Sequence, residues 1–288
     1  MGLAYRMLGV IADAEDVVQD TFLKWQAADE SQIRNPEAWM VTVCTNRCLD
    51  LLKAASRTRV EYIGPWIPEP LQTETLATQE DDLERAETLT TAFLLLLERL
   101  SPKERAAFLL HEVFEKSYPE VSETLGLSEA ACRQLVSRSA KTVRQEKARF
   151  RPNTGQQAAL LSAFQAALAT GSPEQLSGLL AEAVNLRSDG GGKATAISRI
   201  LHGPEQVSRY VAKVIGRLWS EAKVEPCEMN GIYGLIVQAG ETVAAAMMIG
   251  YTDAGEIGEI YIMRNPDKLG HLRRRFQHDL QTGTLTRN

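Results

Sequence analysis

The chain has 288 residues, of which 44% are hydrophobic and 24% charged, and its formal net charge is −5. These values are ordinary for a globular protein, and they exclude a disordered chain, a collagen and a disulfide-stapled miniprotein. No apolar run approaches the ~20 residues that span a bilayer, and the first residues lack the basic segment of a signal peptide. With only four cysteines, the sequence predicts a cytoplasmic protein of two or three domains that makes no membrane contact.

Residues 1–60 predict a first helical domain. Asp13 is placed to N-cap a helix that runs to about Ala28. The apolar stripe expected along this helix consists of Val17, Val18, Phe22, Leu23 and Trp25. Pro36 suits the first turn of another helix, which ends near Lys53. Residues 61–80 then predict an extended linker, because its closely spaced prolines forbid a helix or a central strand.

Residues 81–151 predict a second helical domain. Ser101 to Glu104 has the form of a capping box, with proline at the first helical position. A short helix from Pro119, a tight turn at Gly126 and a basic helix from Glu129 follow in order. This order is typical of a helix-turn-helix.

Residues 154–288 predict an α+β domain. Helices are expected over 156–169, 173–182 and 204–219, and a strand over 184–188. Hairpin signals separate four further strand-like runs, which predict a curved antiparallel sheet: 224–229, 232–238, 242–249 and 257–263. The three glycines between Asp189 and Lys193 indicate a tight turn with unusual backbone angles.

Charge is distributed in blocks along the chain. Residues 43–60 carry four basic side chains and one acid, a net of +3, and residues 131–151 carry seven and one, a net of +6. Residues 11–30 have a net charge of −5, and residues 61–98 a net charge of −8. Two basic segments separated by acidic ones predict two contacts with a polyanion, on a protein that also meets a basic partner.

Specific strings in these segments resemble a known family. The strings are Ala12 to Trp25, Asn35 to Trp39 with Asn46 to Asp50, and the helix-turn-helix at 118–141. They resemble the extracytoplasmic-function sigma factors, the DNA-recognition subunits of bacterial RNA polymerase. Trp66–Pro70, Asp189–Lys193 and Asn265–Leu269 resemble the SigJ-like subgroup, in which a cone-shaped SnoaL-like domain is fused to the sigma core. The tail from Gly270 to Asn288 lies outside this resemblance, and the family usually has one or two more helical turns ahead of Leu3.

The resemblance implies contacts with core RNA polymerase, at its clamp helices and its flap, and with promoter DNA. The acidic helix face expected on the basic clamp helices consists of Glu15, Asp16, Gln19, Asp20 and Lys24. The residues expected at the −10 element are Arg34, Asn35, Trp39, Asn46, Arg47, Lys53, Arg57 and Arg59. Trp39 is suited to stacking on a flipped base, and equally to a place in the core. The residues expected at the −35 element are Ser128, Glu129, Arg133, Gln134, Ser137, Arg138 and Lys141.

The C-terminal domain is expected to regulate the sigma core in cis, so that no separate anti-sigma factor is needed. Trp66 requires a surface, because an exposed aromatic of that size is unfavourable. We expect the turns of the third domain to supply it. The residues expected at this contact are Trp66, Pro68, Pro70, Asp189, Lys193, Asn265, Pro266, Asp267, Lys268 and Leu269.

Two other functions remain open at this stage. One is a SnoaL-like small-molecule enzyme, with Asp189, His202 and Tyr210 as acid–base candidates, and the other is a ligand sensor with a DNA-binding front end. No nucleophile–base pair is visible, so we expect no catalytic residue and no cofactor. Cys44 and Cys48 lie one helical turn apart without further ligands nearby, which favours core residues over a metal site.

Overall fold

A computed structural model describes residues 1–58, 62–73, 88–146 and 154–272. These residues fall into two compact units. The first contains residues 1–58, 88–89 and 93–146, and the second contains residues 62–73, 90–92 and 154–272. Arg59, the tail beyond residue 272 and the side chain of Arg57 lie outside the described residues.

The first half of unit 1 consists of helices α1 (Gly2–Leu8), α2 (Ile11–Ala27) and α3 (Pro36–Thr58). Helix α2 begins three residues earlier than expected, so Asp13 lies in its first turn, where a carboxylate favours the helix dipole, and is not its N-cap. The Asn35 side chain caps α3, because its Oδ1 accepts from the Ala38 N–H at 3.1 Å. This cap fixes the loop that precedes α3.

The remaining helices up to residue 146 are α4 (Thr91–Leu97), α5 (Pro102–Phe108), α6 (Tyr118–Leu125) and α7 (Glu129–Glu146). A π-helical turn at Leu109–Val113 continues α5. The capping box at the start of α5 is confirmed: Ser101 and Glu104 exchange hydrogen bonds between side chain and backbone. Gly126 has a φ of 62° and turns the chain from α6 into α7, as the helix-turn-helix pattern predicts.

Helix α3 packs against α1, α2, α5 and α6, so both halves of unit 1 share one packed core. The hydroxyl oxygens of Thr42 on α3 and Thr124 on α6 lie 3.2 Å apart. The guanidinium of Arg105 on α5 donates to the Met7 carbonyl at 2.6 Å. Unit 1 is therefore a single compact body of residues from both predicted helical domains.

Unit 2 is built on a six-stranded sheet. Its strands are β1 (Leu180–Asp189), β2 (Leu201–His202), β3 (Lys223–Met229), β4 (Ile232–Ala239), β5 (Thr242–Tyr251) and β6 (Ile257–Met263). The strand order is β2-β1-β6-β5-β4-β3, and register shifts in three of the strand pairs curve the sheet. The predicted meander of β3 to β6 is antiparallel, but β1 pairs with β6 in parallel, so the sheet as a whole is mixed. Helices between β2 and β3 carry the chain across the sheet, which brings β6 back beside β1.

Helices cover one face of this sheet. They are α8 (Thr154–Thr170), α9 (Pro173–Ser177), α10 (Pro204–Tyr210) and α11 (Gly216–Trp219), with a π-helical turn at Val211–Ile215 joining the last two. The core between helices and sheet includes Phe164, Leu176, Leu186, Ile215, Met247 and Ile260. The expected helix over 173–182 is wrong beyond Ser177, because Leu180 pairs with Ile257 and begins β1. Within the described ranges, no helix has the length and hydropathy to cross a membrane.

Candidate polymerase, promoter and linker surfaces

One face of α2 carries the predicted acidic surface. Glu15, Asp16, Gln19 and Lys24 are exposed, whereas Asp20 is half-buried. Asp20 Oδ2 accepts from Nε of Arg47 on α3 at 2.8 Å. The structure therefore pairs a side chain expected at the polymerase with one expected at DNA.

Large apolar side chains extend this acidic surface. Phe22 is 58% exposed and Leu23 is 61% exposed. Their expected place in a buried stripe is wrong, because α2 buries only the narrower face of Ile11, Ala14, Val17 and Thr21. An exposed apolar surface beside acidic residues is suited to binding a protein partner. The sequence signal for such a surface was that α2 has more apolar positions than one buried helix face can hold.

The loop before α3 presents the predicted −10 residues. Arg34, Asn35, Asn46 and Lys53 are exposed, Arg47 is half-buried, and Lys53 pairs with Asp50 at 3.1 Å. Trp39 is half-buried, with its ring edge-to-face against Trp25 at 5.5 Å between centroids. The Trp39 ring is thus neither fully buried in the core nor fully exposed to solvent, and it packs against the Trp25 ring on one side.

A cavity of about 550 Å³ lies beside Trp39 within unit 1. Arg34 and Asn35 line it from the loop, and Glu120 and Glu123 line it from α6. Lys116 also lines the cavity, so two cations and two carboxylates face it and their charges balance.

The residues expected at the −35 element lie on α7 or directly before it. All seven residues expected there are exposed: Ser128, Glu129, Arg133, Gln134, Ser137, Arg138 and Lys141. Cys132 and Val136 face inward and are buried. The Arg133 guanidinium lies 3.3 Å from Glu129 and 4.2 Å above the Tyr118 ring centroid, so it is held in place at the start of the helix.

In unit 2, the carboxylate of Asp189 binds the linker. Its Oδ1 accepts from the Tyr62 hydroxyl at 2.6 Å and from the Gly191 N–H at 3.0 Å. Its Oδ2 accepts from the Ile67 N–H at 3.0 Å and from Nζ of Lys268 at 2.8 Å. Asp189 is fully buried and the Lys268 side chain is 8% exposed, so the pair is screened from water. We call this cluster of Tyr62, Ile67, Asp189 and Lys268 the linker hub.

Aromatic rings of the linker surround the Lys268 ammonium. Nζ lies 4.5 Å from the Trp66 ring centroid and 5.2 Å from that of Tyr62, and it donates to the Ile67 carbonyl at 2.7 Å. Burial, followed by the hydrogen bond to Asp189, raises the pKa of the Tyr62 hydroxyl, which therefore stays a donor. Trp66 thus rests on a cation, a favourable contact for a partly desolvated ring.

The turns at 189–193 and 265–269 meet at this hub. Gly191 has a φ of 59°, and a side chain there would collide with the Asn265 amide, so the expected glycine turn is confirmed. Asn265 donates to the Tyr62 oxygen at 3.2 Å, and its Oδ1 accepts from the Asp267 N–H. At the surface, Lys193 pairs with Asp267 at 2.5 Å, with both side chains more than half exposed.

The linker continues along the edge of the sheet. Leu71 and Asn230 exchange two hydrogen bonds, of 2.7 and 3.1 Å. The Thr73 N–H donates to the Glu228 carbonyl at 3.2 Å, and its hydroxyl donates to the Glu228 carboxylate at 2.7 Å. Because β3 is an edge strand, this contact adds the linker to the sheet by main-chain pairing. Among the other predicted contact residues, Pro68, Pro70 and Leu269 are buried and Pro266 is exposed.

The three acid–base candidates have other surroundings. Asp189 is occupied by the linker, His202 Nδ1 lies 2.6 Å from Asn185 Oδ1, and burial raises the pKa of the Tyr210 hydroxyl. Both Cys44 and Cys48 lie on α3. Across the part of the chain that the structure describes, no three His, Cys, Asp or Glu side chains are grouped to hold a metal.

Comparison with known proteins identifies the class. Residues 1–58 match Sigma-70 region 2, and residues 90–143 match Sigma-70 region 4. Two such regions joined by a linker define a sigma factor of bacterial RNA polymerase, which is not an enzyme and acts with core polymerase on promoter DNA.

The relatives narrow the class further. The chain is 38% identical over 220 residues to the ECF RNA polymerase sigma factor SigJ of Mycobacterium tuberculosis, covering 75% of this chain and 70% of that protein. It is 28% identical over 278 residues to the probable ECF sigma factor SigI of the same species, covering 94% and 91% of the two chains. The crystal structure of M. tuberculosis SigJ superposes with a TM-score of 0.72 at 31% identity, over 94% of each chain. The chain therefore belongs to the extracytoplasmic-function RNA polymerase sigma factors, with a C-terminal α+β domain fused to the sigma core.

Proposed function

We propose that the C-terminal domain controls this sigma factor in cis by holding the linker between its two promoter-reading regions. The observation that carries the proposal is the linker hub, in which one buried carboxylate binds Tyr62, Ile67 and Lys268 together. Residues 59–87 join the two regions of the sigma core, and as a free extended chain they would reach about 100 Å. Fixing residues 62–73 shortens this reach, and so limits how far region 2 and region 4 can separate.

The promoter-reading surfaces follow from their positions in unit 1. The acidic face of α2, with Phe22 and Leu23 beside it, would bind the clamp helices, and region 4 would contact the flap. The loop at Arg34–Asn35 with Trp39, and the basic side chains along α3, would bind the melted −10 element. Arg133 and Gln134 would read base edges of the −35 element in the major groove, and Arg138 and Lys141 would contact phosphates.

In unit 1 as it stands, α6 packs against α3 and forms one wall of the cavity beside Trp39. Glu120 and Glu123 of α6 face the cavity beside Trp39. We therefore expect polymerase to draw α6 away from α3 when it binds, which exposes Trp39 to DNA. The linker hub would oppose this opening, because it limits the slack between the two regions.

Transcription from purified components tests the proposal. With core polymerase, the protein should give start-site-specific transcripts; alone, it should bind promoter duplex weakly and with strong salt dependence. We expect the protein to act in the cytoplasm. In the purified system, variants of the linker hub should change transcript yield although no separate anti-sigma protein is present. Tight, sequence-specific operator binding without polymerase would contradict the promoter-reading roles, and unchanged yield from hub variants would contradict regulation in cis.

A cleft in unit 2 favours a second candidate function, a response to a small ligand. The cleft has a volume of about 730 Å³, and Arg199, Arg209, Lys213 and Tyr210 line it. Arg209 pairs with Glu205 at 2.6 Å, so Arg199 and Lys213, beside apolar side chains such as Ile197 and Leu201, are the cations that suit an organic anion. A panel of carboxylated and phosphorylated metabolites should then raise the melting temperature of the protein, and less so for Lys213→Ala.

A further inference from the structure

The loop that leaves the linker hub also forms one wall of the cleft in unit 2. This loop follows Asp189, the last residue of β1, and ends where β2 begins at Leu201. Its residues 196–199 line the cleft. A short stretch of chain, residues 190–195, therefore connects the buried carboxylate of the hub with the wall of the cleft.

This connecting stretch is tightly packed. The Ala194 N–H donates to the Gly190 carbonyl at 3.0 Å, and a side chain at Gly190 would collide with the Ala194 carbonyl oxygen. Arg264 joins the two ends of the stretch. Its backbone N–H donates to the Asp189 carbonyl at 2.7 Å, and its Nη1 donates to the Thr195 carbonyl at 2.5 Å. Because close-packed chain transmits displacement, the position of the cleft wall affects the position of the hub.

The linker itself packs on the same loop. Gly64 has a φ of 86°, and a Cβ placed on it would lie 3.8 Å from Cα of Ser198 and 4.0 Å from the Ile197 carbonyl oxygen, which is van der Waals contact. A Cβ placed on Gly192 would lie 3.0 Å from Cδ1 of Ile63. Residues that line the cleft are therefore also part of the surface on which the docked linker rests.

The cleft combines cations with apolar side chains. Arg199 and Lys213 are exposed, and neither forms an ion pair with an acid in the part of the chain that the structure describes. Burial raises the pKa of the Tyr210 hydroxyl, so this group can donate a hydrogen bond to an anion. Lys213 belongs to the π-helical turn at Val211–Ile215, and such turns are frequent at functional sites. The apolar part of the lining includes Ile197, Leu201 and Val214.

We propose that the cleft is an effector site for an organic anion with an apolar body, and that its ligand favours docking of the linker. A ligand held by both Arg199 on the loop and Lys213 on the helix joins the loop to the body of the domain. It thereby fixes the surface on which Gly64 rests, which stabilises the docked linker. Coupling of this kind is reciprocal, so the docked linker raises the affinity for the ligand by the same factor, typically about 5- to 150-fold. This inference rests on the ligand response proposed above, and identifies the linker as the element that responds.

Octanoate is a suitable probe, because it combines one carboxylate with a short apolar chain. It should raise the melting temperature and increase the hydrogen-exchange protection of residues 62–73, where the Ile67 and Leu71 amides are hydrogen-bonded in the docked state. Lys213→Ala should abolish both effects. Arg217→Ala should preserve them, because it removes an exposed cation that does not line the cleft. No effect of octanoate, or an equal effect of inorganic phosphate, which has no apolar part, would overturn the proposed site.

Calorimetric titration of hub variants with octanoate measures the reverse coupling. Lys268→Met removes the cation bound to Asp189 and should weaken octanoate binding at least about fivefold. Tyr62→Phe removes only a hydroxyl bonded to Asp189 and should act in the same direction, whereas Lys193→Met, which breaks an exposed pair, should leave the affinity unchanged. Equal affinity in all three variants would overturn the coupling. Coupled binding together with unaltered transcription in the hub variants would leave the effector site standing and reject regulation in cis.

Discussion

Nζ of Lys268 lies 2.8 Å from Oδ2 of Asp189, and both side chains are buried. Asp189 ends β1 and is in register with Met263, the last residue of β6. Because β1 and β6 are parallel, both strands finish at the same end of the sheet. The segment that follows β6 therefore brings Lys268 to Asp189, the last residue of β1. The pair thus depends on the parallel pairing of β1 with β6. The linker binds at the end of these two strands, where Asp189 and Lys268 meet.

Removing the cation from this pair should release the linker. Lys268→Met leaves Asp189 buried without a counter-charge, and breaking a buried pair in this way costs about 3–5 kcal/mol. Hydrogen exchange should show residues 62–73 unprotected. Lys193→Met is the matched control, because it breaks the exposed pair with Asp267, which joins the same two turns. An exposed pair is worth about 0–1 kcal/mol. Equal loss of protection in both variants would show that the hub does not hold the linker.

Phe22→Ala should weaken binding to core polymerase without lowering the stability of the protein. Phe22 is 58% exposed, so the free protein loses little when the ring is removed. Burying such a ring against a partner is worth about 1.5–3 kcal/mol, which corresponds to a loss of at least tenfold in affinity. Leu218→Ala provides a control, because Leu218 is a 50% exposed apolar residue of unit 2. The same loss of affinity in both variants would argue against a docking surface on α2.

Arg133→Ala should reduce discrimination at a single base pair of the −35 element. A bidentate contact from arginine to guanine is worth about 1–3 kcal/mol of specificity. Arg57→Ala should instead weaken binding to all promoter sequences about equally, as loss of a phosphate contact does. Promoter libraries transcribed by the holoenzyme would measure both effects. If Arg133→Ala weakens every −35 variant alike, the assignment of base-reading residues on α7 is wrong.

The pair of Asp20 and Arg47 offers a separation of roles. Each side chain is about 40% exposed, so their coupling energy in the free protein should be below about 1 kcal/mol in a double-mutant cycle. Asp20→Ala should reduce polymerase affinity, whereas Arg47→Ala should reduce promoter binding by the assembled holoenzyme. An equal loss of polymerase affinity in both variants would mean that the pair acts as one unit at the polymerase surface.

The helical elements of the sigma core were predictable because their signals are local. The reciprocal bonds of Ser101 and Glu104, and the left-handed turn at Gly126, involve residues only a few positions apart. The exposed face of α7 followed from the same periodicity. The extent of the apolar stripe on α2 did not, because only tertiary packing decides which of several apolar positions is covered.

The linker contact was predictable only in outline. The need to cover Trp66 pointed to the turn at 265–269, and Lys268 does lie beneath its ring. Tyr62, Thr73 and Asn230 were missed, because a single polar side chain carries no sequence signal for a partner more than a hundred residues away. Asn230 in particular was explained fully by its hairpin turn, and nothing local shows that its side chain also binds Leu71.

The linker is synthesised long before the residues that bind it, because the two are far apart along the chain. Ile67 and Lys268, which are hydrogen-bonded, are 201 residues apart. A ribosome that adds about 5–20 residues per second needs about 10–40 s to cover that span. Region 2 is synthesised before this interval begins and region 4 is synthesised within it, while the segment that joins them has nothing to bind. The linker is therefore bound only after both promoter-reading regions are complete. A chain whose translation stops before the C-terminal domain is finished would have both promoter-reading regions but an unbound linker.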